Sequence, residues 1–256
     1  MMHVFLPYVH SAAKWEELRY ALRSWDANAD FKYQIVIVGD LPEWCQNVIH
    51  IPHTPSYDGK EGEILRDAIM KMRIFLGWAR IRNVHQFIRT YDDIFLLRKT
   101  KLEDIAIPKA VYDMTTMNPM RNNTWRKQLW NTYLAVRSNN CHGWNMETHT
   151  PESFTVDYMS QVMDHYQLPP NQYLTSTLYY NQLFSNSSFK PIVLSKSDKY
   201  KAGFYGMDDK YSFGPKENIA EVCARKMFLN FDNAGLTPEM MRFVESYYPN
   251  KCRHEI

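Results

Sequence analysis

Short apolar runs recur along the first half of the chain and predict strands. They cover His3–Val9, Tyr33–Val38, Asn47–Ile51 and His85–Arg89, and the last continues through Asp92-Asp93 into Ile94–Leu97. Short runs of apolar and β-branched residues, bounded by turn signals, are typical of strands buried on both faces. We therefore expect these segments to lie inside a sheet.

Between these runs, apolar residues recur at helical spacing. Residues 11–27 place Leu18, Leu22 and Trp25 on one face, and residues 60–81 carry a stripe from Ile64 through Ala68 to Ala79. Strands that alternate with amphipathic helices favour a mostly parallel sheet covered by helices. The predicted fold class is α/β, with a Rossmann-like central sheet.

The second half is less regular and predicts an irregular, helix-rich region. Residues 118–144 predict loops and a helix, and Pro151–Tyr166 predicts a helix that begins at its Pro-Glu step. Thr237 opens a last helix, which ends before Pro249. Neither a repeat nor a linker is visible, so we expect one domain over residues 1–256.

Composition narrows the class of protein. The 256 residues are 45% apolar and 23% charged, which is typical of a globular chain. No apolar run reaches the roughly 18 residues that a transmembrane helix needs. The net charge of +2 is too balanced for a whole-molecule nucleic-acid binder. Four well-separated cysteines favour free thiols, and hence a cytoplasmic protein.

Asp92 and Asp93 are the strongest candidates for chemistry. They interrupt the apolar segment FIRTYDDIFLL, where carboxylates are unfavourable unless they are paired or bind a cation. Ligands of open α/β sheets bind at the carboxyl ends of the strands, and hard oxygen ligands suit Mg²⁺ or Mn²⁺ on a diphosphate. The alternative is a pair that caps a turn or pairs with Arg89 or Arg98.

Five further residues are weaker candidates. Asp40 ends a strand and would accept hydrogen bonds from a ribose or a base, or else serve as a turn residue. Arg19 and Arg23 share one helix face, where they would meet phosphates or solvent. His149 lies before a predicted helix and Asp232 follows an apolar run, and each is more often structural than catalytic. No P-loop, GxGxxG or nucleophile elbow is present.

Several segments together resemble the Stealth family of sugar-phosphate transferases. EELRYALRSWDANADFKYQIVIVGDLPEW is similar to the family's second conserved region, and FIRTYDDIFLL to the end of that region. ETHTPESF is similar to the third region, and FLNFDNAG and YYPNKCRHE to the last. The order agrees, and the matches cover most of the chain. The resemblance extends more broadly to GT-A glycosyltransferases, which use nucleotide-sugar donors.

The chain also departs from the Stealth pattern. HVFLPYVHSA lacks the Asp of the first region, Tyr91 stands where the family has Asn, and Leu178 lies about where the family has an Arg. The missing Asp and the missing Arg favour transfer of the sugar itself. Phosphoryl transfer needs cations around the phosphate, and Leu178 cannot replace the Arg in that role.

The resemblance thus implies a metal-dependent glycosyltransferase on a GT-A-like fold. Asp93, with Asp92, would hold Mg²⁺ or Mn²⁺, and His149 and Asp232 would act as base, metal ligand or acceptor-orienting group. The donor-binding residues in this interpretation are Arg19, Arg23, Asp40, Lys71 and Asp92. Residues 1–115 would bind the nucleotide-sugar, and residues 116–256 would complete the site on the acceptor side.

The acceptor would be a hydroxyl on a polysaccharide, a protein or a modified nucleic-acid base, although the net charge does not indicate nucleic acid. The alternatives are a Stealth-type sugar-1-phosphate transferase and a non-catalytic nucleotide- or sugar-binding protein.

Overall fold

In the computed structural model, the first apolar runs of the chain form strands. The structure describes residues 1–54, 63–116, 123–185, 187–206 and 210–256. The strands in chain order are β1 (Met2–Tyr8), β2 (Tyr33–Gly39), β3 (Ile49–Pro52), β4 (Gln86–Arg89), β5 (Phe95–Leu96), β6 (Lys109–Ala110), β7 (Tyr112–Asp113), β8 (Trp144–Asn145), β9 (Glu152–Thr155), β10 (Ile192–Val193), β11 (Gly203–Phe204) and β12 (Phe228–Phe231).

The central sheet has the strand order β3-β2-β1-β4-β9. The pairs β1–β2, β2–β3 and β1–β4 are parallel, and only the edge strand β9 is antiparallel to its neighbour β4. Parallel strands end at the same edge of a sheet, so the segments that follow β1, β2 and β4 emerge together. The predicted fold class, α/β with a mostly parallel central sheet, is confirmed.

The helices cover this sheet and form much of the second half of the chain. In chain order they are α1 (Glu17–Asn28), α2 (Glu63–Ile81), α3 (Leu102–Ala106), α4 (Thr124–Ser138), α5 (Val156–His165), α6 (Thr175–Phe184), α7 (Ile219–Cys223) and α8 (Pro238–Tyr247). None of the helices in the described ranges is long and apolar enough to cross a membrane.

The two faces of the sheet pack against different helices. On one face Val4 and Leu6 of β1 meet Leu22 of α1, and on the other Phe5 meets Phe75 of α2, with ring centroids 4.8 Å apart. This alternation follows from the two-residue period of a strand. The central sheet therefore has one apolar layer on each side of β1.

The structure corrects three predicted elements. Pro151–Tyr166 is not one helix: Glu152–Thr155 forms β9, and the helix α5 begins only at Val156. Pairing with β4 overrides the local helix signal, because Glu152 lies opposite Arg89 and their side chains form a buried ion pair at 2.6 Å. The segment 85–97 is likewise two strands, since β5 belongs to another sheet.

The third correction concerns the apolar stripe of α2. Ile64 is 60% exposed and lines a surface cavity together with Ala68, whereas Met72, Phe75 and Ala79 are buried. The predicted start of this helix at residues 60–62, and residues 118–122 of the predicted loop region, lie outside the described residues.

Candidate active site

Asp92 and Asp93 lie in a turn just beyond the carboxyl end of β4. The amide of Thr90 donates to the carbonyl of Phe5 at 3.0 Å and extends the pairing with β1, and the amide of Ile94 donates to the carbonyl of Tyr91 at 3.2 Å. The two aspartates are the central residues of this turn. The structure thus places them at the edge where parallel sheets bind ligands.

Strand register brings Asp232 to the same place. The chain leaves the turn as β5, which is antiparallel to β12 with Phe95 opposite Leu229. The carboxyl end of β12 therefore lies beside the start of β5, and the rings of Phe95 and Phe231 stack at 5.5 Å. Asp232 follows β12 directly and lines a cavity with Asp92 and Asp93.

Pairing of β9 with β4 brings Glu147 and His149 to this edge as well. Because β9 begins opposite the carboxyl end of β4, the segment that precedes it lies over the turn with the two aspartates. Sequence reasoning missed Glu147. Glu147 begins the segment ETHTPESF, but nothing in that segment marks its carboxylate as functional, since only the antiparallel pairing of β9 places it at the site.

Three cavities with shared walls form a cleft around these residues. The acidic cavity (Ile64, Lys71, Asp92, Asp93 and Asp232) has a volume of about 380 Å³. The central cavity, about 430 Å³, shares both aspartates and adds Arg89, Trp125, Glu147 and His149. The aromatic cavity, about 620 Å³, shares Trp125, Glu147 and His149 with the central one and Asp232 with the acidic one; Tyr112, Tyr205 and Tyr211 also line it.

The electrostatics of the acidic pair are unfavourable without a cation. Burial raises the pKa of Asp92, and the negative charge of Glu17 raises it further. Burial and the neighbouring charge of Asp92 raise the pKa of Asp93. No ion pair within the described part of the chain reaches either carboxylate. A cation bound here would relieve this repulsion.

The donor set fits a metal that completes its coordination from a substrate. Among the residues that the structure describes, no three His, Cys, Asp or Glu side chains meet as a ready-made metal site. Mg²⁺ is commonly held by one or two carboxylates together with phosphate oxygens and water. Asp92 and Asp93 meet that requirement, and the adjoining cavities leave room for a phosphorylated ligand.

Lys71 reaches the acidic cavity from α2. Its side chain is buried and pairs with Asp67 one helical turn earlier, and its charge counteracts the raised pKa of Asp92. The lysine therefore adds positive charge beside the acidic pair while it is paired with Asp67. Its predicted role toward the phosphates of a donor stays a prediction.

Asp40 lies beside the cleft and outside its three cavities. Its carboxylate accepts a hydrogen bond from the amide of His10 at 2.8 Å and so ties the end of β2 to the segment after β1. It lines a neighbouring cavity with His50 and His53. Its predicted role toward a ribose or base stays a prediction.

Arg19 and Arg23 of α1 line none of the three cavities of the cleft. Arg23 forms a bidentate ion pair with Glu255, with Nε–Oε1 and Nη2–Oε2 distances of 2.6 and 2.8 Å. Arg19 stacks on Trp44 at 4.6 Å and lies 3.7 Å from Glu255. Their positions do not support a role in donor binding. Arg23 anchors the C-terminal segment through Glu255, and the shorter ion pair of Arg19 is with Glu16, just before α1, at 3.0 Å.

His149 is held as a neutral imidazole. Burial, together with the positive charges of Lys201 and Arg89, lowers its pKa to about 3. Its backbone is in the left-handed region with φ of 49°, and its ring meets that of Tyr205 edge to face at 5.8 Å. A neutral ring of this kind orients a ligand or accepts a hydrogen bond, but it is a weak base.

Glu147 is better suited to accept a proton. Its Oε1 accepts a hydrogen bond from the backbone amide of Thr177 at 2.9 Å, which fixes the carboxylate at the junction of the central and aromatic cavities. Burial raises its pKa, and the nearby charge of Arg89 only partly offsets this effect. A carboxylate with a raised pKa is a stronger base than an ordinary one.

Asp232 stabilises a turn with its carboxylate and also lines the cleft. Its carboxylate accepts hydrogen bonds from the amides of Gly206 at 3.1 Å and Gly235 at 2.8 Å. It therefore shapes the wall between the acidic and aromatic cavities.

Leu178, at the place of the Stealth arginine, is fully buried in the core on α6. The guanidinium near the start of this helix is Arg89, which donates to Thr175 Oγ1 at 2.5 Å and to Glu152 at 2.6 Å. Arg89 lines the central cavity, so the cleft does contain a cation that the motif comparison missed.

Comparison with known proteins gives structural likeness only. No family model and no curated protein matches the chain. A glycosyltransferase involved in glycosylation of the major capsid of PBCV-1 is similar over 96% of this chain and 98% of its own, with 10% identity and a TM-score of 0.45. Apo mouse xyloside xylosyltransferase 1 is similar over 93% and 99%, with 12% identity and a TM-score of 0.43. Likeness of this degree does not identify a reaction, and the Stealth resemblance stays a prediction.

Proposed function

We propose that the chain is a metal-dependent glycosyltransferase with a GT-A-like fold, which moves a sugar from a nucleotide-sugar to an acceptor hydroxyl. One observation carries the proposal: two adjacent carboxylates, both with raised pKa values, face a cleft at the carboxyl edge of a parallel sheet. Asp92 and Asp93 would hold Mg²⁺ or Mn²⁺. The bound ion would neutralise charge on the leaving nucleoside diphosphate.

The other residues of the cleft have separable tasks in this proposal. Lys71 adds positive charge beside the donor phosphates, and His149 accepts a hydrogen bond from the sugar or the acceptor. Glu147 takes the proton of the attacking hydroxyl, because it lies between the cavity of the aspartates and the aromatic cavity. A positioned base of this kind accelerates such transfers about 10²- to 10⁴-fold.

Transfer of the sugar is favoured over transfer of sugar phosphate. Attack at phosphorus requires cations around the equatorial phosphate oxygens. The cations that line the acidic and central cavities, among the described residues, are Lys71 and Arg89, and each is already paired with a carboxylate. Leu178 supplies no charge. We therefore expect a nucleoside diphosphate as the product, which chromatography distinguishes from the monophosphate of a Stealth-type reaction.

The test is a thermal-shift titration with UDP, GDP and CDP, with and without Mn²⁺. We expect at least one nucleotide to raise the melting temperature only when metal is present, and Asp93→Asn to abolish that increase. Asp157→Asn is the matched control, because this exposed aspartate of α5 pairs loosely with Arg80 at 3.7 Å, outside the cleft. Flat traces for the wild type would favour a non-catalytic binding protein and overturn the proposal.

A further inference from the structure

The aromatic cavity adjoins both of the other cavities of the cleft. It shares Glu147 and His149 with the central cavity, which contains the two aspartates, and it shares Asp232 with the acidic cavity. A hydroxyl in the aromatic cavity would thus lie next to the proposed base, in a cavity that Asp92 and Asp93 do not line. The inference rests on the proposed function and adds the chemical class of the acceptor.

The walls of the aromatic cavity present flat faces of amphipathic rings. The rings of Tyr112 and Tyr211 are stacked, with centroids 5.3 Å apart and an interplanar angle of 28°. Trp125 stands at the start of α4 and is 37% exposed, and Tyr205 lies beside His149. Aromatic rings offer a large apolar surface together with a polar tip. The C–H faces of a pyranose or furanose ring match such walls, whereas its hydroxyls need separate polar partners.

Asn145 supplies one such polar partner. The residue is fully buried, and its Oδ1 accepts a hydrogen bond from the amide of Glu147 at 3.1 Å. Its Nδ2 has no hydrogen-bond partner within the described residues, although Asn145 lines the cavity. A buried donor without a partner is unfavourable, and a hydroxyl oxygen of a bound ligand would satisfy it.

The charges on the walls of the cavity are of both signs and nearly balanced. Lys201, Arg126 and Lys210 contribute positive charge, and Glu147 and Asp232 contribute negative charge on the same walls. A strongly anionic acceptor such as nucleic acid would instead be met by a basic stripe. The net charge of the whole chain, +2, adds no such field. The volume of about 620 Å³ is within the range of roughly 300–1,000 Å³ that is usual for small-molecule sites.

The geometry points to a carbohydrate acceptor, a neutral glycoside or glycan end, bound in the aromatic cavity with its reacting hydroxyl toward Glu147. The hydroxyl oxygen forms a bond to the anomeric carbon of the donor, and the bond from that carbon to the diphosphate oxygen breaks. The proton of the hydroxyl goes to the Glu147 carboxylate, and the nucleoside diphosphate leaves with the bonding electron pair. Direct displacement of this kind inverts the configuration at the anomeric carbon.

In the experiment the full chain is incubated with Mn²⁺, a nucleotide-sugar donor and a set of acceptors. The donors carry the nucleotide that raises the melting temperature in the thermal-shift titration. The acceptors are 4-nitrophenyl α- and β-glycosides of glucose, galactose, mannose, xylose and N-acetylglucosamine, a mixed-sequence oligonucleotide and a Ser/Thr-rich peptide. Transfer is measured as the mass of the product. We expect transfer to at least one glycoside, with an apparent KM at least tenfold higher in Trp125→Ala.

Trp130→Ala is the matched control, because Trp130 lies on the same helix and does not line the aromatic cavity. We expect this control to keep the wild-type KM, and Trp125→Phe, which restores a flat ring, to recover most of the affinity for the glycoside. The metal-dependent thermal shift with the nucleotide verifies that each variant is folded and binds donor. Loss of that shift in the wild type concerns the proposed function, not the acceptor class.

Two results of the acceptor screen would overturn the inference while the nucleotide shift is intact. One is transfer to the oligonucleotide or the peptide with none to any glycoside, and the other is no transfer at all. An equal KM in Trp125→Ala and Trp130→Ala would also contradict it.

Discussion

Removal of the Arg23 guanidinium tests whether this arginine anchors the C-terminus or binds a donor. Arg23 makes two contacts to the Glu255 carboxylate, and its Nη1 donates to the carbonyl of Tyr248 at 3.0 Å. These bonds join α1 to the last residues of the chain. We expect Arg23→Ala to lower stability and to leave the affinity for nucleotide close to that of the wild type.

The magnitude follows from the burial of the pair. The side chains of Arg23 and Glu255 are 11% and 3% exposed, so the substitution leaves a nearly buried carboxylate. Its nearest remaining partners are the amide of Cys252 at 3.1 Å and Arg19 at 3.7 Å. Breaking a buried pair costs about 3–5 kcal/mol, and the lower end applies at this edge of the fold. At about 2–4 °C per kcal/mol for a chain of this size, we expect the melting temperature to fall by about 6–12 °C.

The effect should depend on pH in a defined direction. Burial raises the pKa of Glu255, but the hydrogen bonds and charge of Arg23 and Cys252 outweigh burial and hold the pKa below its usual value. A carboxyl with a depressed folded pKa stabilises the fold above its unfolded pKa of about 4.3, and this contribution is lost as pH falls through the folded value. The difference between wild type and variant should therefore be full at pH 7 and shrink below about pH 4.

The assay is circular dichroism melting at pH 7 and pH 3, with nucleotide affinity measured in parallel by titration at 20 °C. Arg19→Ala is the control, because its contact with Glu255 is longer and its side chain is 30% exposed; we expect a loss of at most about 1 kcal/mol. An unchanged melting temperature in Arg23→Ala, together with a tenfold weaker affinity for nucleotide, would contradict the role of Arg23 as an anchor of the C-terminal segment. Arg23 would then be a donor-binding residue.

Three further predictions concern the cleft and its scaffold. Asp93→Asn should abolish transfer, yet without metal the variant should melt at or slightly above the wild-type temperature. The difference in melting temperature should widen from pH 5 to pH 8, because the raised pKa of Asp93 makes its ionisation destabilising in this range, and a difference that narrows would contradict this. Glu147→Gln should lower kcat by about 10²- to 10⁴-fold with little change in nucleotide binding, and a loss under fivefold would exclude it as the base. Gly39→Ala should lower the free energy of unfolding in urea by at least about 2 kcal/mol, since φ is 126° and a Cβ would lie 2.0 Å from the Tyr8 carbonyl oxygen. Gly77→Ala on α2 is the control: its Cβ meets open space, and the substitution should raise the free energy of unfolding by about 0.5–1 kcal/mol.

Elements whose burial follows a local pattern are predictable from the sequence. The apolar runs predicted β1 and β2, and helical spacing predicted α1 and α2, because side chains alternate every two residues in a strand and every 3.6 in a helix. The acidic pair was visible for the same reason, since two adjacent carboxylates within an apolar segment are costly without a partner. Their place at the carboxyl edge of a parallel sheet followed from the order of the elements.

The distant residues that meet this pair are brought there by strand pairing, which the local sequence does not reveal. Glu147 and His149 reach the cleft because β9 adds antiparallel to β4, although the local sequence there favours a helix. Asp232 arrives through the pairing of β12 with β5, and Arg23 is turned away from the cleft by Glu255, 232 residues further along the chain. The period of apolar residues along a segment indicates which of its faces is buried. The partner of a segment depends on packing energies between groups that are far apart in sequence, and no local pattern contains them.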